Sequence, residues 1–156
     1  MSVLLAKMKS LVPHVHETIR LAHTYNHILQ LFDRNYEGDP DSVEAYIASL
    51  QDEGIIESQK AFKDYLMQLP HSDLVIIQAI MYIGRDENLD DEDDGSDYGE
   101  YEFREEKEEV SPQKMVFDYI RFLKGEKDKE VIILHMLEKS PLTDYLSRGL
   151  HILNLA

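Results

Sequence analysis

The chain has 156 residues, enough for one ordinary hydrophobic core and too few for two. Hydrophobic residues make up 43% of it, which excludes disorder by composition, and the lack of any cysteine excludes disulfides, thiolate metal ligands and a cysteine nucleophile. The formal net charge is −15, and residues 86–110 carry most of it, with 14 acidic against 2 basic side chains; neither that stretch nor its nearly neutral flanks offers the basic face that phosphate backbones need, so direct nucleic-acid binding is not expected.

In chain order, Met1 to Lys7 holds a four-residue apolar run with its lysines after it. A secretory signal places the positive charge first, so the chain reads as cytoplasmic, which also fits the missing cysteine. The first helix is predicted from Pro13 to about Asp33, with Ile19, Ala22, Tyr25, Leu29 and Phe32 as one apolar stripe. A turn at Asn35 to Asp39 leads to a second helix, opened at Pro40 and capped by Asp39. Its apolar face is Val43, Tyr46, Ile47 and Leu50. Gly54 interrupts the pattern. A third helix follows from about Glu57 to Gln68, presenting Phe62, Tyr65, Leu66 and Leu69, and Pro70 ends it.

The fourth helix is the clearest core element. Ser72 is its expected N-cap, Asp73 suits the positive end of the dipole, and the run from Leu74 to Ile83, broken by Gln78, ends at Gly84. A membrane span needs roughly 20 apolar residues, so this run is too short to be one. Residues 86–109 hold no branched aliphatic side chain other than Leu89 and are predicted to form one long acidic loop, mobile by composition. Order resumes at Ser111-Pro112, a cap followed by a proline in the first turn, with Met115, Val116, Tyr119, Ile120 and Leu123 as a stripe that Gly125 ends. A sixth helix is expected from about Asp128. The last, after Ser140-Pro141, carries Leu142, Tyr145, Leu146, Leu150 and Leu153. The whole is expected to be all-α, one compact bundle of about six to seven helices spanning residues 1–156 with the acidic loop inserted.

Two stretches stand out: the fourth helix with its ending Tyr82-Ile83-Gly84-Arg85, and Pro141, Leu142, Tyr145, Leu146, Gly149 and Leu150 near the C-terminus. Together they resemble a bacterial family of small acidic helical proteins, domain of unknown function family 3775. Tyr82 and Asp86 stand where that family usually has a tryptophan and a second glycine. The resemblance implies the helical fold and, since the family has no established activity, no chemistry.

No glycine-rich phosphate loop, nucleophile elbow or His-Glu-x-x-His motif is present, and no cofactor is implied. His16, Arg20, His23 and His27 fall on one line of the first helix, opposite its apolar stripe. His23 and His27 have the i, i+4 spacing of zinc ligands, though Arg20 between them and His16 repels a cation, and a solvated face is the plainer reading. Asp90, Glu92, Asp94 and Gly95 match the start of a calcium loop, but Asp97 and Tyr101 fill the positions that need a hydrophobic residue and a bidentate Glu. His135 is expected to be a buried core histidine. Arg85 suits the negative end of the fourth helix, pairing with the acidic loop or the last helix.

The function expected on these grounds is regulatory or adaptor-like binding of an unidentified protein, without catalysis, membrane or nucleic acid. Arg85, Asp90, Asp91, Asp93, Asp94, Tyr98 and Tyr101 are the candidate contacts. A metal-dependent enzyme built on His23 and His27 and an anionic mimic of nucleic acid are the alternatives, and the apolar stripes leave a homodimer open.

Overall fold

Helical periodicity continues further towards the N-terminus than Pro13 suggests. Met8, Leu11, Val15, Thr18 and Ala22 recur every three or four residues, and all five are buried. The computed structural model, which describes residues 2–87, 111–123, 126–139 and 141–156, accordingly has α1 running over Ser2–Asn35 with Pro13 inside it. An interior proline costs about 3 kcal/mol. Burying Met8 and Leu11 returns roughly 1.5–3 kcal/mol each, which offsets that cost, and Pro13 itself stays on the exposed side.

Six further helices follow among the described residues, and no strand: α2 (Val43–Ser49), α3 (Glu53–Met67), α4 (His71–Asp86), α5 (Pro112–Leu123), α6 (Lys129–Leu137) and α7 (Leu142–Ile152). The all-α expectation holds, and several boundaries differ for identifiable reasons. Ser42, not Asp39, caps α2, its hydroxyl accepting from Ala45 N–H at 3.1 Å; Asp39 closes the preceding turn by accepting from Asp41 N–H at 3.0 Å. Asp52 caps α3 by accepting from Ile55 N–H at 3.0 Å, so Gly54 falls inside the first turn rather than between helices. Pro70 stands at the cap position of α4, leaving Ser72 within its first turn.

Ser111 caps α5 as expected, accepting from Lys114 N–H at 3.2 Å, and Asp128, at the expected start of the sixth helix, caps α6 by accepting from Glu130 N–H at 3.0 Å. Ser140 and Gly125 lie outside the described residues, as does the predicted loop beyond Glu87. At the C-terminus Asn154 takes the left-handed conformation (φ 62°), and Leu155 N–H donates to Leu150 C=O at 2.8 Å, closing α7 in a Schellman motif.

The core is arranged around α4. Leu74, Ile76, Ile77, Ala79, Ile80, Met81 and Ile83 are all buried, and α1, α5, α6 and α7 pack on that helix, while α3 delivers Phe62 and Leu66 between α1 and α6. No single described helix is long and apolar enough to cross a membrane; α3 and α4 reach that length only as a pair bent by 117°.

The tightest packing is where α4 meets α7. Gly84 does not end α4 but lies within it, and a Cβ there would stand 1.8 Å from the Tyr145 carbonyl oxygen. A Cβ on Gly149 would stand 2.2 Å from the Ile80 carbonyl oxygen. Two glycines thus admit each other's backbone, and no side-chain rearrangement can relieve a methyl placed there. Gly84→Ala and Gly149→Ala are each expected to lower stability by about 3 kcal/mol or more, or roughly 6–12 °C in Tm. A shift below about 2 °C in thermal denaturation followed by circular dichroism would mean that the helices do not cross this closely.

Candidate partner-binding surface

The sequence places small side chains on one side of α2 and large apolar ones on the other. Ala45 is buried, Ser42, Ala48 and Ser49 are half-buried, and all four face the body of the protein. Val43, Tyr46, Ile47 and Leu50 occupy i, i+3, i+4 and i+7 on the opposite side and are 69%, 64%, 50% and 57% exposed. The apolar face read from the sequence is therefore real but points outward, a reversal of the usual amphipathic arrangement. Small residues let α2 rest on the body without lying along another helix. Together the four side chains expose on the order of 450 Å², well within the roughly 300–600 Å² of the largest apolar patch on a typical monomer, which is often functional. Elsewhere, a groove of about 460 Å³ lies at the last turns of α1, lined by Ile28, Leu31, Phe32, Tyr36 and Glu37 and reaching Asp52.

The chain on either side of the patch carries charge of one sign only. From Asn35 to Gln59 there are seven acidic residues and no lysine or arginine. Asp39 and Asp52 are engaged as turn and helix caps. Glu37, Asp41, Glu44, Glu53 and Glu57 make no ion pair among the described residues, and all five are exposed.

Of the contacts predicted from sequence, Arg85 is described, and among the described residues it pairs with Asp86, the first residue of the predicted acidic loop, and not with the last helix. Its guanidinium forks onto its neighbour Asp86 at 2.7 and 3.2 Å and lies 4.5 Å over the Tyr82 ring. The last helix sends Arg148 instead, which donates to Gly84 C=O at 2.9 Å. Tyr119 on α5 donates its hydroxyl to Glu87 at 3.0 Å, with Asp86 at 3.3 Å, and so fastens the end of α4 to α5. Burial, then the hydrogen bond and charge of Glu87, push the Tyr119 phenol well up. Asp90, Asp91, Asp93, Asp94, Tyr98 and Tyr101 lie outside the described residues, as does the partial calcium-loop match.

His16, His23 and His27 are exposed along α1 as the spacing implied, and Arg20 between them is bound by Glu17 at 2.9 Å. No group of three or more metal-ligating side chains occurs among the described residues. His135 is exposed, not buried: α6 turns Ile132, Ile133, Met136 and Leu137 inward, which leaves positions 134 and 135 outside. The histidine that is partly buried is His14, whose Nδ1 shares a 2.6 Å hydrogen bond with the Tyr65 hydroxyl across α1 and α3. Asp73 is buried in the first turn of α4 with Lys7 Nζ 3.0 Å from its Oδ1, an ion pair by distance whose angle falls outside hydrogen-bond geometry. It ties the start of α1 to the start of α4.

Comparison of the chain with protein-family models, with curated proteins and with solved structures gave no match. The two stretches that carry the family resemblance meet in space: Gly84 and Gly149 are the crossing of α4 and α7.

The hydrogen bond from Arg85, ahead of the opposing cost of burial, holds the Asp86 carboxyl below its ordinary value of 3.8. A carboxyl held low stabilises the fold fully above its unfolded value, and that contribution is lost as pH falls through the folded one. An NMR titration of the Asp86 carboxyl should give a midpoint below 3.8, and Arg85→Ala should raise it. A midpoint unmoved by Arg85→Ala would mean that the fork is not populated in solution.

Proposed function

We propose that this chain is a protein-binding module of regulatory or adaptor type, acting in the cytoplasm, and that the outward face of α2 is its docking surface. The observation that carries the reading is the exposure of Val43, Tyr46, Ile47 and Leu50 together on one helix whose small residues face the body. Covering about 450 Å² at 25 cal/mol per Å² yields a gross of roughly 11 kcal/mol. Association costs on the order of 4–15 kcal/mol, so the apolar face alone supports a transient contact. That is the strength expected of a regulatory encounter and not of a permanent subunit. The acidic run at residues 86–110, including Asp90, Asp91, Asp93 and Asp94, adds a long-range field that raises encounter rates. Arg85 is less suited to a partner than its position suggested, because Asp86 and Tyr82 already occupy its guanidinium.

The test compares the intact chain with a Tyr46→Ala/Leu50→Ala double variant as baits in native lysate. Both residues are exposed, so the variant should keep its Tm within about 2 °C. The intact chain should retain a stoichiometric protein that the variant loses. Retention of the same protein by both baits would remove α2 as the docking surface.

A further inference from the structure

The rim of the α2 face specifies its occupant. Resting on the docking reading above, we infer that the partner presents a cationic amphipathic helix: an apolar stripe seated on Val43, Tyr46, Ile47 and Leu50, flanked by lysine or arginine. Glu37, Asp41, Glu44, Glu53 and Glu57 flank that stripe in the chain, exposed and without an ion-pair partner among the described residues, and no lysine or arginine lies between Arg34 and Lys60 in sequence. A partner whose flanks are basic converts five uncompensated carboxylates into complementary ones; a partner with acidic flanks sets like charges opposite each other as the interface dries.

The same rim argues against a second copy of the chain. A two-fold contact through α2 would bring each carboxylate rim against its equivalent. The exposed stripe, on the order of 450 Å², is also short of the roughly 800 Å² per subunit of a standard interface. A single helix laid on the stripe needs less area.

The test uses the full chain and three synthetic 18-residue peptides: leucine and lysine in amphipathic spacing, the same with glutamine for lysine, and the same lysines with serine for leucine. Binding is read by fluorescence anisotropy at low and moderate salt. The leucine/lysine peptide should bind at least about tenfold more tightly than either other peptide. Tyr46→Ala/Leu50→Ala should weaken it about tenfold. Glu44→Gln with Glu53→Gln, which leaves the apolar face intact, should weaken it several-fold and flatten the salt dependence.

If the serine/lysine peptide binds as tightly, or if the α2 variants have no effect, the attraction comes from the acidic run at residues 86–110 and the inference fails. If the leucine/glutamine peptide binds equally well and is lost in Tyr46→Ala/Leu50→Ala, the docking surface stands and the cationic partner falls. If no peptide binds and sedimentation shows a dimer abolished by the same pair of substitutions, the occupant is a second copy and the inference fails. If neither peptide nor copy occupies α2, the docking reading fails with it. Circular dichroism of each variant confirms that it is folded, and the two variant pairs alter different kinds of side chain.

Discussion

Two helices can share backbone space only where neither carries a side chain, and the crossing of α4 and α7 depends on this. With Gly84 against Tyr145 and Gly149 against Ile80, the axes approach more closely than any pair of side-chain-bearing residues would permit. That approach brings Leu146 and Leu150 fully into the core beside Ile80 and Ile83, and it places Arg148 within reach of the Gly84 carbonyl. A cation near the carboxyl end of a helix also offsets the partial negative charge there. The result is a rigid end to α4, extended by the Tyr119 hydroxyl bound to Glu87, from which the chain departs into its most acidic stretch.

The two stretches that stand out in the sequence, Tyr82 to Arg85 and Pro141 to Leu150, are the ones that make this crossing. Glycines and leucines of this kind serve packing. A resemblance resting on them speaks to how helices pair and carries no information about a ligand.

The body of the molecule and α2 solve opposite problems. In the body, apolar side chains on α1, α3, α4, α6 and α7 cover one another, and single ionic links such as Lys7 with Asp73 and Lys63 with Glu130 join elements at the margins. Such links are few beside the apolar area that the helices bury, so burial and the glycine crossing dominate stability. In α2 the large side chains are kept out of the core because Ala45, Ala48 and Ser49 occupy the side that touches it.

Periodicity and local cap signals were enough to specify six to seven helices, the central place of α4, the cap at Ser111, the start of a helix near Asp128 and the outward line of His16, His23 and His27. Each depends on the chain's own neighbours within a turn or two, where helix geometry leaves little choice. The same periodicity marked Val43, Tyr46, Ile47 and Leu50 as one face but could not give its direction, because both a core-facing and a solvent-facing stripe have that spacing. It took Gly84 for a helix end, since a glycine admitting a neighbouring backbone and one closing a helix look identical until the second helix is in place. It buried His135 and left His14 unremarked, because the inward side of α6 and the contact with Tyr65 are set by which helices pack together. The sequence by itself determined the helices, their stripes and the surplus of charge; the tertiary structure decided which stripe met which, since burial depends on contacts between residues far apart in the chain.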